Sequence, residues 1–172
     1  IRKKIYTLLE EFDKGRKSEQ KFIPGKTKVR YSGAYYGHEE LRAMTNAMLN
    51  GWFGLGLYGE LFERKLTEYI GSRYKLLTNS GSSASLLSMS ALTSDLYAEK
   101  IPEGAEVITP ACTFSTTAAA IIHKNLLPVF LDVNLETFNI NPDALEKAIT
   151  KKTKAIFLPH TLGNPNEMDQ IM

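Results

Sequence analysis

From about residue 60 onward the chain alternates short, uninterrupted apolar runs with stretches whose apolar residues recur every three or four positions. The runs are Tyr74–Thr78, Glu106–Thr109, Pro128–Asp132 and Lys154–Leu158, and helical patterns fall at Glu60–Ile70, Leu86–Leu96, Ser115–Lys124 and Pro142–Lys151. A strand with one wet face alternates apolar and polar residues, whereas a strand covered on both faces is apolar throughout. Interleaved runs of this kind predict an α/β fold, a mostly parallel, doubly wound sheet with helices on both faces. The Pro142–Lys151 segment carries its own start signal: Asn141 as N-cap, Pro142 in the first turn and Asp143 to complement the helix dipole.

Ahead of residue 60 the pattern differs. Ile5, Leu8, Leu9 and Phe12 are spaced for a short helix, followed by an irregular arm through Pro24-Gly25-Lys26. Leu41, Met44, Met48 and Leu49 predict a helix over His38–Asn50 that ends at Gly51, where a C-cap glycine belongs. Gly51–Gly59 holds four glycines among aromatic and aliphatic residues, too many for a helix interior and too apolar for a solvent loop, so it needs a surface to bury it. Residues 1–59 thus read as helix, arm and glycine-rich loop, and residues 60–172 as the α/β part of the chain.

Composition narrows the function classes. An apolar fraction of 43% and a charged fraction of 23% suit a folded globular protein, and a net charge of +2 is too small for a nucleic-acid or membrane-surface footprint. Lys151, Lys152 and Lys154 read as a solvated helix end. Cys112 is the single cysteine, which leaves no internal disulfide and no Cys-based metal cluster, and no metal site is expected. No apolar stretch approaches the roughly 18 residues that span a bilayer. The expectation is a cytoplasmic protein. The chain starts at Ile1 and stops at Asp169-Gln170-Ile171-Met172, where an amphipathic pattern has just begun, so both ends are expected to be cut.

Ligands of open parallel sheets bind beyond the carboxyl ends of the strands, which singles out three loops. In Thr78-Asn79-Ser80-Gly81-Ser82-Ser83-Ala84 small residues lead into a helix, and a helix start offers free N–H groups that Gly81 lets a phosphate approach; a plain serine cap is the alternative. The loop has neither the lysine of a P-loop nor the GxGxxG of dinucleotide folds. In Pro110-Ala111-Cys112-Thr113-Phe114-Ser115-Thr116-Thr117, Phe114 either covers a flat heteroaromatic ring or is a core residue, and Cys112 is either core or nucleophile. In Pro159-His160-Thr161-Leu162-Gly163-Asn164-Pro165, His160 is a ligand or base, or else a hydrogen-bonded structural group, and Asn164 could donate to a ring oxygen. His123 reads as a surface group at a helix end.

The first and third of these loops (Asn79-Ser80-Gly81-Ser82-Ser83-Ala84 and His160-Thr161-Leu162-Gly163-Asn164-Pro165), together with Phe22-Ile23-Pro24-Gly25-Lys26, Tyr69-Ile70-Gly71-Ser72-Arg73-Tyr74, Glu106-Val107-Ile108-Thr109 and Pro128-Val129-Phe130-Leu131-Asp132-Val133, resemble the DegT/DnrJ/EryC1/StrS sugar aminotransferase and dehydratase family. Within it the likeness is strongest to the CDP-4-keto-6-deoxyglucose 3-dehydrase branch and runs from Phe22 to the end. The resemblance implies part of the large domain of a type I pyridoxal-phosphate fold, like that of aspartate aminotransferase, working as a homodimer on a nucleotide-linked 4-keto sugar in deoxysugar or lipopolysaccharide synthesis. It implies pyridoxal or pyridoxamine 5′-phosphate as cofactor, with Gly81 and Ser82 on its phosphate, Phe114 stacked on its ring, Asn164 near its ring hydroxyl and His160 toward the substrate. The loop at Trp52–Gly59 would reach the partner subunit's site. Ser85, Leu57 and the Cys-Thr-Phe-Ser stretch depart from the branch pattern, and Leu57, standing where an Arg is expected, bears on which sugar nucleotide fits. The carboxylate for the pyridine nitrogen, and the catalytic lysine or histidine, are expected beyond Met172, so that the 172 residues alone would be inactive.

Overall fold

The computed structural model describes residues 1–19, 22–30 and 32–172. Gln20 and Lys21, at the passage from helix to arm, and Tyr31 lie outside the described residues. The chain forms two compact units, Ile1–Leu76 and Leu77–Met172.

The first unit holds α1 (Arg2–Glu19), α2 (His38–Leu49) and α3 (Gly56–Ile70). With 18 residues, α1 is much longer than its four apolar positions suggest, because the Lys, Arg and Glu residues that continue it are good helix formers. Its length lets it meet both ends of α2. Near one end, the Arg2 guanidinium donates to Asn46 Oδ1 (2.9 Å), the Leu49 carbonyl (3.2 Å) and Asn50 Oδ1 (3.0 Å), serving a carbonyl that the end of α2 would otherwise leave bare. At the start of α2, Gly37 has no side chain with which to cap, and Asp13 of α1 takes over. Its buried carboxylate accepts from the His38 amide at 3.1 Å, from Lys17 at 2.7 Å and from Arg16 at 2.7 Å. Hydrogen bonds from Lys17 and Arg16 hold the Asp13 carboxyl well below the usual carboxylate range. Glu40 accepts from the Gly37 amide at 2.7 Å, as the third helical residue does in a capping box.

The glycine-rich loop is shorter than the sequence indicates, since Gly56–Gly59 already belongs to α3. Gly56 starts that helix at a φ of 44°, and a Cβ there would collide with the Trp52 indole, so glycine is needed for both reasons. Trp52, Phe53, Leu55 and Leu57 all stay more than half exposed. The unit does not bury its own apolar loop.

In the second unit, α4 (Gly81–Leu92) precedes a parallel sheet whose central strand is β1 (Glu106–Pro110), flanked by β2 (Leu127–Leu131) and β3 (Thr153–Ile156) in the order β2-β1-β3. Helix α5 (Ser115–Ile122) connects β1 to β2, and α6 (Pro142–Ala148) connects β2 to β3; a one-turn α7 (Met168–Ile171) follows. Ile108 stands opposite Val129 and Ile156. Successive residues of β1 point to opposite faces, and both faces are covered. Val107 joins a core with Met89 of α4 and Ala120 and Ile121 of α5, while Ile108 joins Ile140 and Leu145 on the side of α6. Val107 and Ile108 are both fully buried, which is why the run is apolar without alternation.

Asn141 caps α6 as expected, its side chain accepting from the Asp143 amide at 2.8 Å, although the helix stops at Ala148 rather than Lys151. One expected strand does not form. Tyr74–Thr78 has no regular structure, and Tyr74 and Leu76 are 77% and 75% exposed. An apolar run becomes a strand only when a neighbour takes up its N–H and C=O groups, and the described sheet consists of β2, β1 and β3 alone.

Candidate functional site

All three loops singled out above lie in the second unit. The first reaches its helix from an irregular segment, and α4 begins at Gly81 rather than near Leu86 because Ser80 caps it there: the Ser80 hydroxyl accepts from the Ser83 amide at 3.2 Å, and its carbonyl from Ala84 at 3.0 Å. The Ala84 bond is the first regular bond of the helix, and the Ser80 hydroxyl serves one of the amides a helix start leaves open, that of Ser83. The amides of Gly81 and Ser82 have no acceptor among the described residues. Gly81 is not in a left-handed conformation, and the space beyond its Cα is open, so neither turn geometry nor crowding calls for glycine here. The serine-cap reading and the phosphate reading therefore use different atoms of the same turn.

The second loop leaves β1 at Pro110, where the Ala111 amide still pairs with the Leu131 carbonyl at 2.7 Å. Phe114 is the N-cap residue of α5 and is 72% exposed, so within the described residues it is not part of a core. Cys112 is exposed as well, which sets aside the core-packing reading of its thiol. The Ser82 hydroxyl donates to Thr116 Oγ1 at 3.0 Å and ties the start of α4 to the start of α5. The turn at Gly81–Ser82 is thereby joined to the helix start that Phe114 precedes. His123 is an exposed C-cap residue of α5, as expected for a surface group.

Beyond β3 the third loop is fixed by two asparagines that no sequence pattern marks. Asn139 is 5% exposed, and its amide donates to the carbonyls of Asn164 (3.2 Å) and Pro165 (2.7 Å). Asn166, also 5% exposed, donates from its side chain to the Pro159 carbonyl at 2.8 Å. Asn164 donates in turn to the Thr137 carbonyl at 3.0 Å. Phe138 and Leu162 both adopt left-handed backbone, with φ of 57° and 55°. Each such non-glycine residue costs roughly 1–2 kcal/mol, a strain that persists where surrounding contacts over-determine the loop. His160 and Asn164 both sit exposed on this loop, and no hydrogen bond among the described residues joins it to the other two.

Four buried side-chain atoms have no hydrogen-bond partner among the described residues, and three of them are Thr113 Oγ1, Asn139 Oδ1 and Thr161 Oγ1, on or against the loops past β1 and β3. Buried polar atoms are nearly always satisfied, so this end of the sheet holds polar capacity that the chain itself does not use. A helix start with two open amides, a serine hydroxyl and an uncovered phenyl face suit a phosphate carried on a flat ring, the chemistry of the cofactor the sequence resemblance implies. No helix among the described residues is long and apolar enough to cross a membrane.

Comparison with known proteins identifies the family and the fold. The model of the DegT/DnrJ/EryC1/StrS aminotransferase family matches residues 35–172. The chain is 41% identical over 172 residues, 99% of its length, to the lipopolysaccharide biosynthesis protein RfbH of Salmonella typhimurium, of which it covers 39%. It is 42% identical over 151 residues, 87% of its length, to a dTDP-4-dehydro-2,6-dideoxy-D-glucose 3-dehydratase of Saccharopolyspora spinosa, of which it covers 33%. Among solved structures, E. coli GDP-4-keto-6-deoxy-D-mannose-3-dehydratase with bound hydrated PLP superimposes with a TM-score of 0.77 at 31% identity, over 84% of this chain and 37% of that one. The chain thus spans between a third and two-fifths of the length of these relatives.

Proposed function

The chain belongs to the DegT/DnrJ/EryC1/StrS aminotransferase family, and from that premise we propose that it forms the amino-terminal part of a pyridoxal-phosphate enzyme that acts on nucleotide-linked 4-keto-6-deoxy sugars as a 3-dehydrase. Residues 60–172 are the first half of its cofactor-binding domain, and residues 1–59 carry the arm and the apolar loop. The observation that carries this reading is the turn at Gly81–Ser82, which keeps two open amides and is tied by the Ser82 hydroxyl to Thr116, two residues past the exposed Phe114.

In this reading the Gly81 and Ser82 amides hold the cofactor phosphate at the positive end of α4, and the Ser82 hydroxyl joins them by turning its proton from Thr116 to the phosphate. Phe114 covers one ring face and excludes water from it. Asn164 has one side-chain N–H left after its bond to Thr137 and offers it to the ring hydroxyl. When bound, pyridoxal or pyridoxamine phosphate supplies an electron sink for charge that develops beside the sugar carbonyl. The groups that complete the chemistry belong to residues outside these 172. The exposure of the apolar residues Trp52, Phe53, Leu55 and Leu57 supports a homodimer in which a second subunit covers this loop.

The dehydrase assignment over a sugar aminotransferase follows the two 3-dehydratases to which the chain is similar. The deciding experiment is to incubate the full-length protein carrying this chain with pyridoxamine phosphate and a 4-keto-6-deoxy sugar nucleotide, with and without glutamate. A 3-deoxygenated product is expected. An aminated sugar would make it an aminotransferase, and absence of cofactor absorbance would overturn the reading as a whole.

A further inference from the structure

The sequence leaves His160 as a ligand or base, or else as a structural group. Its surroundings distinguish these roles. Two atoms lie within hydrogen-bond range of its Nδ1, the Asn166 backbone nitrogen at 3.2 Å and the Asn166 Nδ2 at 3.2 Å. A backbone N–H only donates. The orientation of the Asn166 amide is fixed by its other bond, since Nδ2 must also donate to the Pro159 carbonyl at 2.8 Å. Nδ1 therefore faces two donors and must present its lone pair, which leaves the ring proton on Nε2. The ring is exposed, and Nε2 has no partner among the described residues.

We infer that His160 is a fixed hydrogen-bond donor, pointing an Nε2–H at an oxygen of the bound ligand, and that Asn166 is the positioning residue that sets this tautomer. As a base it would need a lone pair free to take a proton, and the only one on the neutral ring is already committed to Asn166. Asn166 is buried, and Asn139 clamps the same loop two and one residues earlier at the Asn164 and Pro165 carbonyls, so the donor direction is built into the backbone. The acceptor is an oxygen either of the cofactor or of the sugar nucleotide. The inference rests on the proposed function for the identity of that ligand, while the tautomer itself does not.

The test compares His160→Gln, His160→Asn and His160→Ala in the full-length protein. Gln places an N–H near the position of Nε2, and Asn places one near Nδ1. Gln is expected to lose less than about threefold and Asn and Ala about ten- to a hundredfold, the worth of one hydrogen bond to a charged oxygen. The loss falls on the cofactor dissociation constant if the acceptor belongs to the cofactor, and on substrate KM if it belongs to the sugar. Melting temperatures of the variants separate these effects from misfolding. In parallel, isotope-labelled histidine reports the tautomer through its imidazole nitrogen shifts in cofactor-free protein. A proton on Nδ1, or Gln as damaging as Ala in a correctly folded protein that still binds cofactor, would overturn the inference. If the protein binds no cofactor, the functional reading fails and the nitrogen shifts still decide the tautomer.

Discussion

Phe114→Ala separates a ring-covering role from a packing role more cleanly than any other change in the second unit. Phe114 is 72% exposed, so truncation removes little buried area. A fully buried Phe is worth about 1.5–3 kcal/mol, and the remaining quarter or so of that sets an expected stability loss under about 1 kcal/mol. For the cofactor the loss is larger. Stacking contributes about 0.5–1.5 kcal/mol, and covering roughly 50 Å² of ring face at about 25 cal/mol per Å² adds about as much again. Together these weaken cofactor binding by about 1–3 kcal/mol, or about 5- to 150-fold in dissociation constant. Titration of the cofactor-free full-length protein, followed by fluorescence quenching, reads the second quantity, and a thermal melt without cofactor reads the first. Unchanged cofactor affinity with a melting temperature lowered by several degrees would refute the assignment and return Phe114 to the core.

The remaining predictions concern the phosphate turn, the first unit and the sheet. Gly81→Asp meets open space and no backbone strain, so the protein should fold normally yet retain cofactor at least about tenfold more weakly, because a carboxylate would face the phosphate; normal cofactor absorbance after dialysis would remove this turn from the site. The Asp13 carboxyl is held below its ordinary value by Lys17 and Arg16, so the unfolded chain takes up its proton first as the pH falls. Its contribution is therefore complete above the unfolded-state pKa of about 3.9 and is lost as pH falls below it, and Asp13→Asn should flatten that acid limb in urea midpoints measured from about pH 6 to about pH 2.5. Identical slopes for the two proteins would show that Asp13 does not hold α1 to α2. Ile108→Ala empties a fully buried position at the middle of β1 and should cost about 2–5 kcal/mol, whereas Ile156→Ala, already 36% exposed, should cost clearly less; equal losses would contradict the two-faced burial of β1.

What could be read in the sequence follows from which signals are local. Val107 and Ile108 announce a doubly covered strand because consecutive apolar residues can both be buried only that way. Asn141-Pro142-Asp143 announces a helix start because a cap bonds within two residues of itself. Tyr74–Thr78 carried the same apolar signal as β1 and formed no strand, since the partner that makes a strand lies elsewhere in a sequence and leaves no trace in the run. The start of α4 is hidden because Ser80-Gly81-Ser82-Ser83 has the composition of a turn, although Ser80, one residue ahead of the helix, supplies the cap. Asp13 reaches across 25 residues to cap α2, and nothing at Gly37 except the absence of a capping side chain hints that a cap must come from outside.

Asn139 and Asn166 were missed for a deeper reason. A buried asparagine has no periodicity, and in a loop its composition looks like solvent-facing turn chemistry. Their side-chain bonds go to backbone carbonyls of the loop that carries His160 and Asn164 and to the His160 ring nitrogen, so they specify the direction of other residues rather than touching a ligand themselves. At the start of α4 the same division holds: Ser80 spends its hydroxyl on the helix, and in doing so leaves the Gly81 and Ser82 amides for something else. Sequence patterns therefore point to residues that would meet a ligand, because those carry the chemistry, and pass over the polar groups that aim them. In this chain Gly81, Phe114, His160 and Asn164 of the first set lie exposed and Ser82 half-buried, at the helix start and on the loops beyond β1 and β3, and the two asparagines of the second set lie buried. A substitution in the first set should move binding with little change in stability, and one in the second should move both.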